Sequence, residues 1–92
     1  NFCMIEGKTS SGFKFAVDER VVTDFTFLEL LTHLDGQALI ALPGRLLGED
    51  GKAALIEHCR DGEGYVPTAR ITEECMEIIN LCGEKSQNAK NS

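Results

Sequence analysis

The sequence predicts an α+β fold, in which an N-terminal β-hairpin is followed by a small bundle of about four helices. Apolar and polar residues alternate only near the start of the chain, whereas apolar residues have helical spacing in most of the remainder. Glycine and proline separate these segments. Because 92 residues is the length of one small domain, residues 1–83 are predicted to form a single globular domain, with the hairpin at 2–22 and a helical part at 24–82.

The hairpin is predicted from a period of two. Phe13, Phe15 and Val17 alternate with charged or small residues, which is typical of a half-buried strand. The apolar run at 2–6 is its partner, and the sequence GKTSSG between the two supplies turn residues. An isolated two-stranded hairpin is marginally stable in water, so it must pack on the helices or pair with a strand of another chain. The hairpin edge is therefore one predicted surface for homo-oligomer formation.

The first helix is predicted at 24–34, with Thr23 or Asp24 as its N-cap. Its apolar residues extend around more than one face, so the helix either lies in the core or exposes a surface to a partner. We expect this helix to be the second possible homo-oligomer surface. The residues expected to contact a protein partner are Phe25, Phe27, Leu28 and Leu31.

A second helical stretch is predicted at 37–47, and a third helix at 50–60 after a break at Gly48. Pro43 stands inside the second stretch, where proline removes a backbone hydrogen bond and clashes with the preceding turn. The stretch therefore either begins near residue 42 or kinks there. A short or kinked helix is favoured.

The last helix is predicted to begin at Pro67 and to reach about residue 81, with Gly83 as its end. Residues 84–92 are polar and have no apolar periodicity, so they are predicted to form a disordered polar tail. The apolar face of the helix has the spacing i, i+4, i+7, i+8 and i+11. Its members are Ile71, Cys75, Ile78, Ile79 and Cys82.

The chain is acidic, with a net charge of −6, and the acidic residues concentrate in its helical part. Nucleic acids and anionic membranes attract proteins through lysine and arginine, and the sequence contains no basic stripe. The longest apolar run is much shorter than a membrane span. We therefore expect no nucleic-acid partner and no membrane association.

The four cysteines are predicted to be reduced. Cys75 and Cys82 lie at apolar positions of a helical pattern, where free thiols pack as small hydrophobic groups. The sequence contains no apolar h-region of a signal peptide, so a reducing cytosol is expected. Met4 is a candidate native start, in which case residues 1–3 would be a processing remnant.

No catalytic or metal-binding arrangement is predicted, so the protein is expected not to be an enzyme and to carry no cofactor. Aligning the turn DGEGYV with a calcium-binding loop would place Cys59 and Arg70 at the two end ligands, and neither suits calcium. The cysteine spacings lack the short pairs of zinc sites. Glu73, Glu74 and Glu77 are interpreted as a solvated helix face, or as a rim toward a basic partner.

Three stretches together resemble the tail assembly chaperones of long-tailed phages and related prophages. They are SGFKFAVDERVVTDF followed by LELL, then ALPGRLLG, then HCRDGEGYVPTARITEECMEII, so that the resemblance spans about residues 4–80. In that family a short β-hairpin precedes a small helical bundle, and a turn of glycine followed by Val-Pro precedes the last helix. Pro43 departs from the family's uninterrupted second helix.

The resemblance implies a non-enzymatic protein in the cytoplasm of a bacterial host. Such a protein binds the long helical tape-measure protein and keeps it soluble before the tail tube polymerises around it. Two other hypotheses stay open at this point: a small acidic regulatory adaptor that binds a protein through its helical hairpin, and a metal-responsive module that uses Asp61, Glu63 and the thiols.

Overall fold

Strands and helices follow one another in the order that the sequence predicts. The computed structural model describes the backbone of residues 3–91 and the side chains of residues 3–85. Within that part of the chain, one antiparallel two-stranded sheet precedes four helices, which confirms the α+β prediction. The elements are β1 (Met4–Lys8), β2 (Lys14–Asp18), α1 (Glu19–Val22), α2 (Phe25–Thr32), α3 (Gly36–Cys59) and α4 (Thr68–Asn91).

The hairpin buries one face against the helices, as its alternating pattern predicts. Ile5, Phe15 and Val17 point into the core, while the residues between them are exposed or half-buried. The Thr9 N–H donates to the Phe13 carbonyl at 2.9 Å and closes the turn. The hairpin is shorter than the predicted range 2–22, however, because β2 ends at Asp18.

Asp18 ends the strand because its side chain begins a helix. Its carboxylate accepts a hydrogen bond from the Arg20 N–H at 2.9 Å, the bond that an N-cap residue makes to the first turn of a helix. Residues 19–22 therefore form the one-turn helix α1 instead of continuing the strand. Asn1 and Phe2 lie outside the described residues.

α2 is shorter than the predicted range 24–34. Asp24 is its N-cap and accepts a hydrogen bond from the Thr26 N–H at 2.7 Å. The helix ends at Thr32, and Asp35 then caps α3 by accepting from the Ala38 N–H at 2.9 Å. Asp35-Gly36, a pair that is also typical of a helix end, thus begins the next helix.

α3 joins the two predicted helices at 37–47 and 50–60 across a kink. The interruption lies at Gly48, whose φ of 76° and ψ of 173° are not helical, so the predicted break at this glycine is confirmed. The second interruption expected at Pro43 was wrong, because the helix begins at Gly36 and passes through the buried proline. Packing of the proline ring in the core offsets the backbone hydrogen bond that it cannot donate.

A tight turn connects α3 to α4. Asp61 organises it, because its carboxylate accepts hydrogen bonds from the backbone N–H groups of Glu63 and Tyr65 at 2.9 and 3.0 Å. These two bonds are the main reason that the pKa of Asp61 lies below its ordinary value. Gly64 takes a φ of 94°, which favours glycine. The turn is therefore held by hydrogen bonds among its own residues.

α4 extends beyond Gly83, where the sequence predicts its end. The helix runs to Asn91 and so extends into the stretch 84–92 for which the sequence predicts a polar tail; Ser92 lies outside the described residues. Gly83 is not among the glycines with positive φ, and the lysine, glutamate and glutamine around it favour helix. Lys85 also ties this part of α4 to the sheet, because its Nζ donates to the Glu6 carbonyl.

The core lies between the inner face of the hairpin and the long helices α3 and α4. The apolar face predicted for α4 is confirmed in this core, with Ile78, Cys75 and Cys82 fully buried. None of the helices in the described part of the chain has the length and apolar content needed to cross a membrane. The largest fully buried side chains are Phe27, Leu42, Leu46, Leu55, Ile78, Val17, Cys75 and Cys82.

Candidate functional site

Two apolar side chains of α2 point into solvent. Phe25 is 73% exposed and Leu28 is 46% exposed, and their spacing of i, i+3 places them on one face of the helix. We call these two residues the α2 surface. Large exposed apolar groups that lie side by side are typical of a protein-binding surface rather than of a monomer's exterior.

The other two predicted contact residues do not belong to this surface. Phe27 is only 1% exposed and lies in the core, with the Arg45 guanidinium 6.0 Å from its ring centroid. Leu31 is half-buried against the same core. The Phe27 ring is therefore not available to a partner, since residues two apart on a helix point in opposite directions, whereas Leu31 keeps part of its side chain exposed and its contact with a partner stays a prediction.

Polar contacts hold α2 in place beneath its exposed face. Hydrogen bonds from the Thr26 hydroxyl and N–H to the Asp24 carboxylate keep the pKa of Asp24 below its ordinary value. The Thr26 hydroxyl also accepts from Arg45 of α3 at 3.1 Å. The helix is thus capped at its start and joined to α3, while Phe25 and Leu28 project away from the core.

A second apolar concavity lies between α3 and the start of α4. It has a volume of about 290 Å³, and its most exposed apolar side chain is Ile40, which is 74% exposed. We call it the α3–α4 groove. The sequence patterns did not predict this groove. Its one sequence signal is Ile40, an apolar residue outside the buried spacing of Ala38 and Leu42. The groove is lined by Leu39, Ile40, Pro43, Lys52, Ile56, Val66, Thr68, Ile71 and Thr72.

Glu74 and Glu77 of α4 hold the tip of the hairpin, which corrects the interpretation of these two residues as part of a solvated face or a rim. Glu74 is only 9% exposed, and its carboxylate accepts from the Thr9 hydroxyl at 2.7 Å and the Ser11 hydroxyl at 2.9 Å. Of the three glutamates, Glu73 alone is largely exposed. Burial of a carboxylate is costly unless hydrogen bonds satisfy it, and the two hydroxyl groups of the turn supply these bonds to Glu74.

Glu77 completes the attachment of the tip. It accepts from the N–H of Ser10 at 2.7 Å and from the hydroxyl of the same residue at 3.0 Å. Together with Glu74 it therefore binds three consecutive residues of the turn to one helix. A pattern of hydroxyl residues in the turn and glutamates at i, i+3 on the helix was present in the sequence, but nothing local showed that they meet.

Ser11 and His58 approach each other as a nucleophile and its base would. The Ser11 Oγ lies 2.9 Å from the His58 Nε2, beside a pocket of about 390 Å³. However, the Ser11 hydroxyl donates to the Glu74 carboxylate at 2.9 Å, so its proton is directed away from the imidazole that a nucleophilic serine would need as its base. The cluster is arranged to hold the hairpin tip rather than to activate a serine.

The described side chains contain no group of three or more histidine, cysteine, aspartate or glutamate residues placed to hold a metal ion. Cys75 and Cys82 are buried free thiols, as the sequence predicts; Cys59 is also buried and free, and Cys3 is exposed. Burial raises the pKa of Cys75 to about 12, so this thiol stays protonated at neutral pH. Asp61 is one of the residues of the hypothetical metal-responsive module, and its carboxylate accepts hydrogen bonds from two backbone N–H groups.

Comparison with known proteins gives no match to a family model, to a curated protein or to a solved structure.

Proposed function

We propose that this protein is a tail-assembly chaperone of a phage or prophage, which binds the helical tape-measure protein and keeps it soluble before the tail tube polymerises. The proposal places the protein in the bacterial cytoplasm and requires no cofactor. Its contact surface is the α2 surface, Phe25 and Leu28. The resemblance of three sequence stretches to that family supports the client, and the geometry of α2 supports the surface.

The observation that carries the proposal is the exposure of Phe25 on a capped, anchored helix. A phenylalanine that is 73% exposed loses hydrophobic stabilisation of about 1.5–3 kcal/mol relative to a buried one. The same helix buries Phe27, so α2 places one of its two phenylalanines in the core and the other in solvent. An exposed ring that is held in place by the fold is what an apolar partner surface requires.

A helical client suits this surface. Phe25 and Leu28 form a short apolar stripe, and a second amphipathic helix can lay its own apolar stripe along it. The net charge of −6 keeps complexes of this protein apart in solution, which serves a chaperone that must hold an aggregation-prone chain.

The test is co-expression with the tape-measure protein of the same phage or prophage. We expect the wild-type protein to keep this client soluble and to co-purify with it. Replacing both contact residues, Phe25→Glu with Leu28→Glu, should abolish co-purification while the circular dichroism spectrum stays unchanged. Phe27→Glu is unsuitable as a binding test because it places a charge in the core.

Two controls separate a specific surface from a general charge effect. Asn80→Glu adds one negative charge at an exposed position of α4 and should leave co-purification intact. Ile40→Glu alters the α3–α4 groove instead of the α2 surface. If the client remains insoluble with the wild-type protein, the chaperone proposal fails; if only Ile40→Glu abolishes binding, the α2 surface is the wrong site.

The α3–α4 groove favours a second candidate, a small regulatory adaptor that binds a protein through its helical hairpin. Ile40 and its neighbours form an apolar concavity between the two long helices, and such grooves receive single amphipathic helices. The neighbouring genes distinguish the two candidates. A position beside tail-tube and tape-measure genes supports the chaperone, whereas a position beside a regulator without tail genes supports the adaptor.

A further inference from the structure

The hairpin has two outer edges, and its register shows which backbone groups face them. The Glu19 N–H donates to the Cys3 carbonyl at one end of the pair, and the Thr9 N–H donates to the Phe13 carbonyl at the other. Hydrogen-bonded and non-hydrogen-bonded pairs alternate along an antiparallel ladder. The pairs Met4–Asp18, Glu6–Ala16 and Lys8–Lys14 are therefore the non-hydrogen-bonded ones, and their backbone N–H and C=O groups point outward.

The two edges are not equivalent. On the β1 edge, the Glu6 carbonyl accepts a hydrogen bond from Lys85 of α4. On the β2 edge, Lys14 and Ala16 are exposed, and their backbone groups make no hydrogen bond to any other described residue. An exposed edge with unused donors and acceptors is a template for another strand.

The side chains of β2 identify a second copy of the same strand as the complementary one. Lys14 stands directly opposite Lys8 of β1, a like-charge pair that destabilises an antiparallel ladder. If two copies of β2 pair antiparallel about Ala16, Lys14 instead faces Asp18 of the second copy on the same exposed face. Asp18 already binds Arg20 at 2.7 Å, so the new contact adds a second cation to one carboxylate.

We propose that two copies of this protein pair through their β2 edges, antiparallel and centred on Ala16, to form one four-stranded sheet. The backbone groups fit this register. Ala16 exchanges both of its hydrogen bonds with Ala16 of the second copy, and the Asp18 N–H donates to the Lys14 carbonyl of that copy. The Asp18 carbonyl is excluded from the ladder because Asp18 is the N-cap of α1.

The corresponding pairing of β1 edges is less favourable. A two-fold axis at Glu6 would place Glu6 opposite itself and Met4 opposite Lys8, so it brings like charges together and creates no ion pair. The Lys85 side chain would also have to leave the Glu6 carbonyl. The β2 edge is therefore the surface that a second copy of the chain fits.

The backbone part of this proposal is tested with a proline. The Ala16 N–H is not used inside the hairpin, so Ala16→Pro should leave the monomer folded and remove the central hydrogen bonds between copies. Ala16→Thr is the matched control, because threonine favours strands and keeps the N–H. By sedimentation velocity we expect the wild type and Ala16→Thr to be dimeric and Ala16→Pro to be monomeric. A wild type that is monomeric at every attainable concentration, or an Ala16→Pro variant that still forms the dimer, would overturn the proposal.

The charge part is tested with a matched pair of lysine variants. Lys8→Glu and Lys14→Glu both relieve the repulsion inside the hairpin, so neither should lower its melting temperature. Only Lys14→Glu places a like charge against Asp18 of the second copy, and we expect it to raise the dimer dissociation constant by about tenfold or more. Equal dissociation constants for the two variants would contradict the register. The outcome is independent of the client, since no tape-measure protein is present.

Discussion

At the scale of single residues, Glu74 joins the hairpin to the helices. Its carboxylate is nearly buried, and it accepts from two hydroxyl groups of the turn, of which that of Thr9 is itself buried. The described part of the chain leaves no buried side-chain oxygen or nitrogen atom without a hydrogen-bond partner. Removing this one carboxylate would therefore leave the Thr9 hydroxyl without its acceptor. A buried donor that loses its partner destabilises the fold more than the loss of both partners together.

We predict that Glu74→Ala lowers the free energy of unfolding by about 1–3 kcal/mol, the cost of leaving a buried polar group unsatisfied. Glu73→Ala is the control, because that neighbour is exposed and its loss should change the free energy by no more than about 0.5 kcal/mol. Urea denaturation of the two variants measures both values. Equal effects at the two positions would show that the attachment of the hairpin tip does not contribute to stability.

Individual contact residues were only partly predictable from the sequence. Helical spacing identified α2 as rich in apolar residues, but Phe25 and Phe27 look alike in a sequence until the rotation of the helix is known. That rotation is set by packing against α1 and α3, which the residue spacing within α2 does not describe. Glu74 was misinterpreted because its partners lie more than sixty residues earlier in the chain.

At the scale of elements, caps determine where these helices begin. Asp18, Asp24 and Asp35 each accept a hydrogen bond from a backbone N–H in the first turn of the helix that follows them. The sequence contains these signals, yet only Asp24 was assigned as a cap. Asp18 belongs to an alternating strand pattern, and Asp35 precedes a glycine that suggests an end rather than a beginning. Where a local pattern is compatible with two structures, packing of the whole chain determines which of them forms.

Gly48 and Gly83 are a matched pair of helix glycines, and we predict opposite effects for alanine at the two positions. Gly83 lies inside α4 with open space around its Cα, so Gly83→Ala should raise the free energy of unfolding by about 0.5–1 kcal/mol. Gly48 has a φ of 76° and a ψ of 173°, a combination that is essentially restricted to glycine and costs other residues about 1–3 kcal/mol, so Gly48→Ala should lower the free energy of unfolding.

Urea denaturation of the two variants, together with their helical circular dichroism, measures this difference. The sign at Gly83 is diagnostic. If α4 ended there with the glycine as its C-terminal cap, alanine would be destabilising and the helical signal would not rise. Destabilisation by Gly83→Ala would therefore contradict a helix that continues to Asn91.

At the scale of the whole molecule, the fold class was readable because strand and helix periods occupy separate parts of the chain. The core was readable in part, since helical spacing predicts the buried Cys75 and Cys82 but not the buried Cys59. The thiols of these three cysteines make the stability of the protein depend on pH in the alkaline range, because burial raises the pKa of each of them.

The alkaline dependence should be largest for Cys75. Burial raises the pKa of this thiol from about 9 to about 12 in the folded state, so the unfolded chain releases the proton at a lower pH than the folded one. The contribution of this neutral thiol is fully present below pH 9 and is lost as the pH rises toward 12. Between these limits it lowers the free energy of unfolding by about 1.4 kcal/mol per pH unit.

We therefore predict that Cys75→Ala makes the decline in stability above pH 9 less steep than in the wild type. The variant is less stable at neutral pH because it leaves a cavity, so the slope against pH is the quantity to compare. Urea denaturation at a series of alkaline pH values measures it. Cys3→Ala is the control: this cysteine is exposed, and its removal should leave the wild-type slope unchanged. If the slopes of all three proteins were the same, the buried thiol would not be the group that links folding to alkaline pH.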